Sequence, residues 1–451
     1  MRGLALGIVF FSLLPFIFIK GPFFGILMWF WVSLMNPQQV VWGSIFSGVP
    51  YAFVVAVATL ASLVVARGEP KLPPANKTTF LLIFLMLWVS VTTWYGIGPP
   101  DQLYDKWQLS EKMLFMTLVA YALTNSRVRL EQLILVCVLS IAFWGFRGGL
   151  IAIATAGGVK VHGPDGTMIG DNNDLGVALT MILPLIFYLR ERYRQLVVKW
   201  PMQVLIGLTI LGDIFTYSRG ALVAITAMGS MLWLRSRNKL QILIVIVVAA
   251  VGIWNFAPAE WTARMFTIES YQQDASAEGR IHMWERAWAL AQMRPVVGGG
   301  FHWSYDPGMV NELLSGTNLP KMESPLAAHS IWFEMLGDHG FVGLLLFVTI
   351  LASAFVDAGW LIRRTRREPD LAWANNLGRM LQVALVGFCA GGSFATQGMY
   401  DGLYAVVIIA AVARRLVAAE LAGRKVAALN FRGLAMSAQP AVFQPQPSRQ
   451  F

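Results

Sequence analysis

Long apolar runs separated by short basic segments constrain this chain more than any other feature. A helix needs about 20 mostly apolar residues to cross the hydrocarbon core of a bilayer. Runs at 50–66, 80–96, 112–124, 130–155, 173–189, 200–217, 220–234, 240–256, 330–361, 373–396 and 402–421 read as crossings, most of them apolar all round. Segment 1–49 is broken at Lys20-Gly21-Pro22 and again at Asn36-Pro37, and reads as one interrupted crossing. The predicted fold class is therefore an all-α polytopic membrane protein with about twelve transmembrane helices. Charged residues make up 13% of the chain and hydrophobic ones 56%, against about 25% charged in ordinary soluble proteins. A soluble enzyme would have to expose much of that apolar surface, and a disordered chain would lack it.

The formal charge of +10 suggests a nucleic-acid partner until its distribution is considered. The loops that begin at Arg67, Arg127, Arg190, Arg235 and Arg363, and the tail from Arg414, alternate along the chain and fall on one side. With Arg2 and Arg379, that side holds 24 of the 35 basic residues and 7 of the 25 acidic ones, net +17 against −7 opposite. By the positive-inside rule it is cytoplasmic, with both termini inside, and no nucleic-acid partner is needed. No small-residue cleavage site follows the first apolar run, so no cleavable signal peptide is expected. Cys137 and Cys389 lie inside apolar runs and are expected to pack as small hydrophobes.

Four regions are expected: transmembrane helices over 1–256, an outer loop over 257–329, further transmembrane helices over 330–423, and a disordered cytoplasmic tail over 424–451. The loop is too long to be a plain connection in a compact protein. Within it Ile281, Trp284, Trp288 and Ala291 recur at helical spacing, ended by Pro295. This predicts an amphipathic helix with tryptophans at headgroup depth. Gly298-Gly299-Gly300 follows as a turn or hinge.

Cations outside the basic loops are few. Arg219, in Tyr217-Ser218-Arg219-Gly220, sits in a tight turn beside the free N–H groups of a helix start, which suits an anion or a lipid phosphate. Arg147, after Trp144-Gly145-Phe146, is read as structural or functional alike, and Arg280, heading the loop helix, reads on its own as a solvated residue. His329 stands where the loop meets the next span, ahead of Glu334 and Asp338. There the helix dipole disfavours imidazolium, leaving a proton acceptor, a cap or a solvated histidine. Asp171-Asn172-Asn173-Asp174 has the oxygens for a divalent cation and equally those of an Asx turn and helix cap. No His-x-x-x-His or zinc ligand set occurs, and no metal or other cofactor is expected.

Taken in order, several short motifs resemble the O-antigen ligase and polymerase superfamily. They are Ser218-Arg219-Gly220-Ala221, Gly279-Arg280 with Trp284, Pro295 through Gly298-Gly299-Gly300-Phe301, Ala328-His329-Ser330, and Gly337-Asp338-His339-Gly340 with Gly343. Gly166-Thr167 through Asp171-Asn172-Asn173 is similar to that family's Gly-Thr…Asn segment. Met35-Asn36-Pro37 is similar to the exosortase-associated O-glycosylation ligases. The resemblance covers residues 150–402 and extends to the rest by topology. Asp338 departs from it, standing where the family often has Glu.

The resemblance implies a GT-C-like glycosyltransferase of the bacterial inner membrane with its site facing the periplasm. It would move a glycan from undecaprenyl diphosphate to a sugar hydroxyl of the lipid A core by inverting displacement. Arg219 and Arg280 would hold the diphosphate with Arg147 and Lys160, His329 would be the general base, and Asn173, Asp338 and Asp401 would be secondary. Residue chemistry agrees, since arginines can stabilise a departing diphosphate and a neutral imidazole can take a hydroxyl proton. An O-antigen polymerase, a protein O-oligosaccharyltransferase and a transporter of lipid-linked glycan remain alternatives.

Overall fold

The computed structural model describes residues 2–40, 48–193, 195–236, 238–240, 243, 244, 247, 251, 258–266 and 275–437. Among them every regular element is helical. The broken start forms α1 (Arg2–Leu13), α2 (Phe16–Ile19) and α3 (Pro22–Met35), and α4 spans Tyr51–Val65. Pro22 takes the first position of α3, where its missing N–H costs nothing, and Asn36 ends the helix in the left-handed region. Then come α5 (Lys77–Trp94), α6 (Pro100–Leu123), α7 (Arg127–Ala154), α8 (Asn172–Arg192), α9 (Leu196–Ile214) and α10 (Arg219–Arg235). The loop region contributes α11 (Ala259–Phe266), α12 (Ala275–Met293) and α13 (Pro307–Leu313). The chain closes with α14 (Ile331–Thr365), α15 (Ala372–Gly392) and α16 (Asp401–Ser437).

Among the described residues six helices are long and apolar enough to cross a membrane: α5, α7, α8, α9, α14 and α16 over Asp401–Arg424. The protein is a multi-pass membrane protein. Other runs counted toward twelve crossings form shorter or more polar helices. Helices α3, α4 and α10 have 14, 15 and 17 residues. Helix α6 is long, yet it carries Asp101, Asp105, Lys106, Glu111 and Lys112. The run at 240–256 falls largely outside the described residues. At the C-terminus the helix-forming stretch after Arg424 continues α16 to Ser437, past the expected start of the tail, and 438–451 lie outside the described residues.

Helix α8 is the axis of the bundle, with nearly all of its residues buried, and it packs against α7, α9, α10 and α15. In lipid, apolar contact alone does not drive helices together, so close approach must come from small residues. At the α7–α9 contact a Cβ on Gly149 would stand 2.2 Å from the Leu208 carbonyl oxygen. On the basic side, buried Asp357 of α14 accepts from Lys77 of α5 at 2.6 Å and from Arg414 of α16. Cys137 is buried, Cys389 is partly buried, and both are free thiols.

Helix α12 exposes only part of the stripe expected of it: Ile281 and Trp288 are exposed, whereas Ala291 is buried. Met283, Ala287 and Leu290 are buried with Trp303, Val310, Leu314 and Met322 in a small core of the loop itself. Trp284 turns inward onto Phe333, with centroids 5.3 Å apart, and Trp288 is left exposed. The face of α12 that meets the rest of the loop is the one buried.

The glycine run docks this module onto α14. Gly299 and Gly300 donate to the Gly337 and Asp338 carbonyls, each at 2.8 Å, where α14 kinks at Gly340. At Gly298 φ is +63°, and a Cβ would stand 2.6 Å from both the Gly337 oxygen and the Gly340 nitrogen. Gly298→Ala is therefore expected to destabilise the module by about 2 kcal/mol or more, from left-handed strain and overpacking. Limited proteolysis of 275–330 should accelerate, and cleavage at the native rate would refute this docking.

Candidate active site

The candidate residues gather where α8, α10, α12 and α14 begin. Asp171 caps α8, accepting from the Asn173 backbone N–H and from its Nδ2, both at 2.8 Å. Asn173 Oδ1 in turn accepts from Ser218 Oγ at 2.9 Å, and Ser218 caps α10 by accepting from the Ala221 N–H at 3.0 Å. This places Arg219, the first residue of α10, beside the α8 start. Asn172 Nδ2 donates to the Thr216 carbonyl at 2.8 Å, and Asp174 Oδ1 accepts from the Thr396 N–H at 3.0 Å. The four-residue Asp/Asn run thus caps a helix and ties α8 to its neighbours.

The second half of the site comes from the loop. Trp284 Nε1 donates to the Ala328 carbonyl at 2.8 Å, fixing the residue before His329 against the helix that carries Arg280. Phe394 packs near Trp284, and a Cβ on Gly220 would stand 3.0 Å from the Phe394 Cβ. Arg219, Trp284 and His329 are therefore joined through one layer of contacts. Tyr217 and His329 both adopt left-handed backbone, φ 58° and 43°, each just ahead of a serine N-cap. Such strain in non-glycine residues is held only where surrounding structure imposes it, commonly at functional sites.

His329 Nδ1 is buried and has no hydrogen-bond partner among the described residues. Burial, and then the positive charge of Arg280, hold the imidazole below its ordinary value, while Asp171 pulls the other way. The ring is thus neutral near pH 7 with a nitrogen available, as a general base requires. Burial opposes ionisation of Asp171. The bonds from Asn173 and the charges of His329 and Lys160 outweigh it and keep that carboxyl below the usual range. Lys160, Asp171, Asn173, Arg219, Arg280 and His329 are in this way brought to one place.

Three candidates lie elsewhere. The Arg147 guanidinium lies 5.2 Å over the Trp144 ring of its own helix. Asp401, at the start of α16, accepts from Ser33 of α3. Asp338 is buried one layer deeper in α14, near Glu334 and the Trp303 indole. Nearby His339 is within 2.7 Å of Thr92 Oγ1 through Nδ1 and meets Phe301 edge-on, so it packs rather than faces His329.

Sequence reasoning did not single out Lys106; it named Asp171 as a cap or cation ligand and Trp284 as a stripe and motif residue without the contacts that place them. Lys106 acts electrostatically on Asp174, Glu334 and Asp338, three carboxylates of the deeper layer. Its place among five charges in one helix was the signal, since such charges in a membrane protein are costly and mark function. Trp284 belonged to a stripe assigned to lipid. Lys106, Gly166, Thr167 and Asp401 also line a cavity of about 550 Å³ whose remaining wall is largely apolar, from α3, α4 and α6.

A multi-pass helical bundle with cations and a histidine gathered at adjoining helix starts is the class defined by this geometry. Residues 204–348, which include Arg219, Arg280 and His329, match the family model described as O-Antigen ligase. That segment belongs to the O-antigen ligase and polymerase superfamily. Residues 1–194 match a family of unknown function (DUF5935). No curated protein matches the chain.

Proposed function

We propose that the protein is an O-antigen ligase that transfers a glycan from undecaprenyl diphosphate to a sugar hydroxyl of the lipid A core. The observation that carries this reading is the unpartnered Nδ1 of His329, held neutral beside Arg280 within a segment of the O-antigen ligase family. In the reaction the acceptor oxygen attacks the anomeric carbon from the face opposite the diphosphate. The carbon–oxygen bond to the diphosphate breaks, inverting that centre, and His329 takes the hydroxyl proton. Arg219 and Arg280 receive the growing charge on the leaving group, where preorganised donors act most strongly. Lys160 adds positive charge at the rim, and Asn173 sets the α10 start through Ser218. The 550 Å³ cavity has room for part of the donor's hydrocarbon chain beside this polar layer.

The proposed site faces the periplasm of the inner membrane, with both termini cytoplasmic, following the asymmetry of +17 against −7. No metal is needed in this scheme, because the arginines neutralise the diphosphate. Purified protein supplied with lipid-linked glycan and core acceptor should form the glycan–core bond at an unchanged rate in EDTA. Loss of rate restored by magnesium would remove the arginine-only scheme. In a ligase-deficient strain the gene should restore the lipopolysaccharide ladder. Lengthened glycan accumulating on polyprenol would instead identify a polymerase.

A further inference from the structure

The end of α14 far from His329 carries a concentration of positive charge that the proposed transfer reaction does not use. Helix α14 finishes in Arg363-Arg364-Thr365-Arg366-Arg367, and the chain turns through Glu368 and the short 3-10 helix Pro369–Leu371 into α15. Between the two helices lies an open cleft of about 450 Å³ lined by Arg366, Arg367, Glu368, Asn375, Asn376 and Arg379. The nearby carboxylates are engaged elsewhere, since Arg424 of α16 approaches Glu368 at 3.2 Å and Asp370 at 3.7 Å. Among the described residues no carboxylate comes within ion-pair distance of Arg366, Arg367 or Arg379. Arg379 Nε donates to Asn375 Oδ1 at 3.0 Å, which fixes the plane of its guanidinium. Arg235, anchored through Nη2 to Gln382 Oε1 at 2.6 Å, adds another positive charge close to Arg379.

We propose that this cleft binds the phosphate headgroup of an anionic glycerophospholipid from the adjacent leaflet. Like charges crowded around a concave site repel one another unless an anion sits among them. Guanidinium forks on either side of a cleft match phosphate oxygens in pairs, and the Asn376 amide suits an ester or hydroxyl oxygen, while Asn375 is held by Ile362, Thr365 and Arg379. Basic pockets between membrane helices are a recurring form of headgroup recognition. Further along α14, Val348 and Val356 are exposed and offer acyl chains an apolar surface. A soluble phosphate would make no use of that surface.

Native mass spectrometry of the purified full-length protein, equilibrated with equal phosphatidylglycerol and phosphatidylcholine, tests this directly. The wild type should retain at least about tenfold more of the anionic lipid. Arg367→Gln/Arg379→Gln should lower that preference to near unity. Arg363→Gln/Arg364→Gln, which removes the same charge outside the cleft, should leave most of it. Equal loss in both variants would replace the cleft with diffuse attraction, and no preference in the wild type would end the proposal. Release of the lipid by millimolar inorganic phosphate, with phosphate then seen bound, would assign the cleft to a soluble anion instead. Monodispersity of both variants separates lost binding from lost folding, and none of these outcomes depends on the reaction assigned to His329.

Discussion

His329→Ala is expected to reduce glycan transfer about 100- to 10,000-fold while leaving binding of the lipid-linked donor nearly unchanged. The range is that of a lost general base. The division between rate and binding follows from geometry: the diphosphate is assigned to Arg219 and Arg280, whereas the free Nδ1 of His329 is reserved for the acceptor. The pH profile gives a second readout. Because burial and Arg280 lower the histidine's affinity for a proton, its basic form persists below the ordinary value near 6.5. Activity should therefore hold through neutral pH and fall only as pH drops through that lowered value. Initial rates and donor binding in nanodiscs, measured from pH 5 to 8, decide the matter. Near-normal turnover in His329→Ala would leave the arginines as the main source of catalysis.

Arg280→Gln should produce a different pair of changes. Loss of one preorganised donor to a developing negative charge costs about 100- to 1,000-fold in rate. Donor affinity should fall as well, unlike in His329→Ala. Removing the positive charge beside His329 also raises that residue's proton affinity, so the acid limb of the remaining activity should move upward in pH. A structural arginine would lower the rate without moving the limb. Arg219→Lys supplies the comparison at the α10 start: charge is kept, the planar fork is lost, and both affinity and rate should drop. An Arg280→Gln profile superimposable on the wild type would separate Arg280 from the chemistry.

Much of this was legible in the sequence because the strongest signals were physical and local. Apolar runs specify membrane helices wherever they are placed, and Ser218 and Asp171 announce helix starts through their side chains alone. Arg219 and His329 stood out as polar groups at the ends of such runs, and Arg280 through the motif resemblance. What was not legible depended on distant partners. Nothing local shows that Trp284 reaches the Ala328 carbonyl or that Gly298 abuts the kink at Gly340. Arg147 and Asp401 were secondary candidates on a par with Lys160 and Asn173 until packing sent one over Trp144 and the other to Ser33. A run's length also does not reveal that α3 and α4 stop after 14 and 15 residues, so a count of crossings does not follow from the runs alone.

The dispersal of the site over four helix starts has a consequence for how the protein is made. Asp171, Arg219, Arg280 and His329 leave the ribosome in that order, and the capping bonds between α8 and α10 can close long before α14 exists. The Trp284 bond to Ala328 and the docking of Gly299 onto Gly337 cannot. His329 consequently meets Arg219 and Arg280 only after α14 has been delivered to the membrane. A nascent chain, or one truncated within the loop, holds Arg219 and Arg280 without His329. On the proposed reaction such a chain would engage a lipid diphosphate but lack the group that takes the acceptor's proton, so synthesis itself would set when transfer can begin.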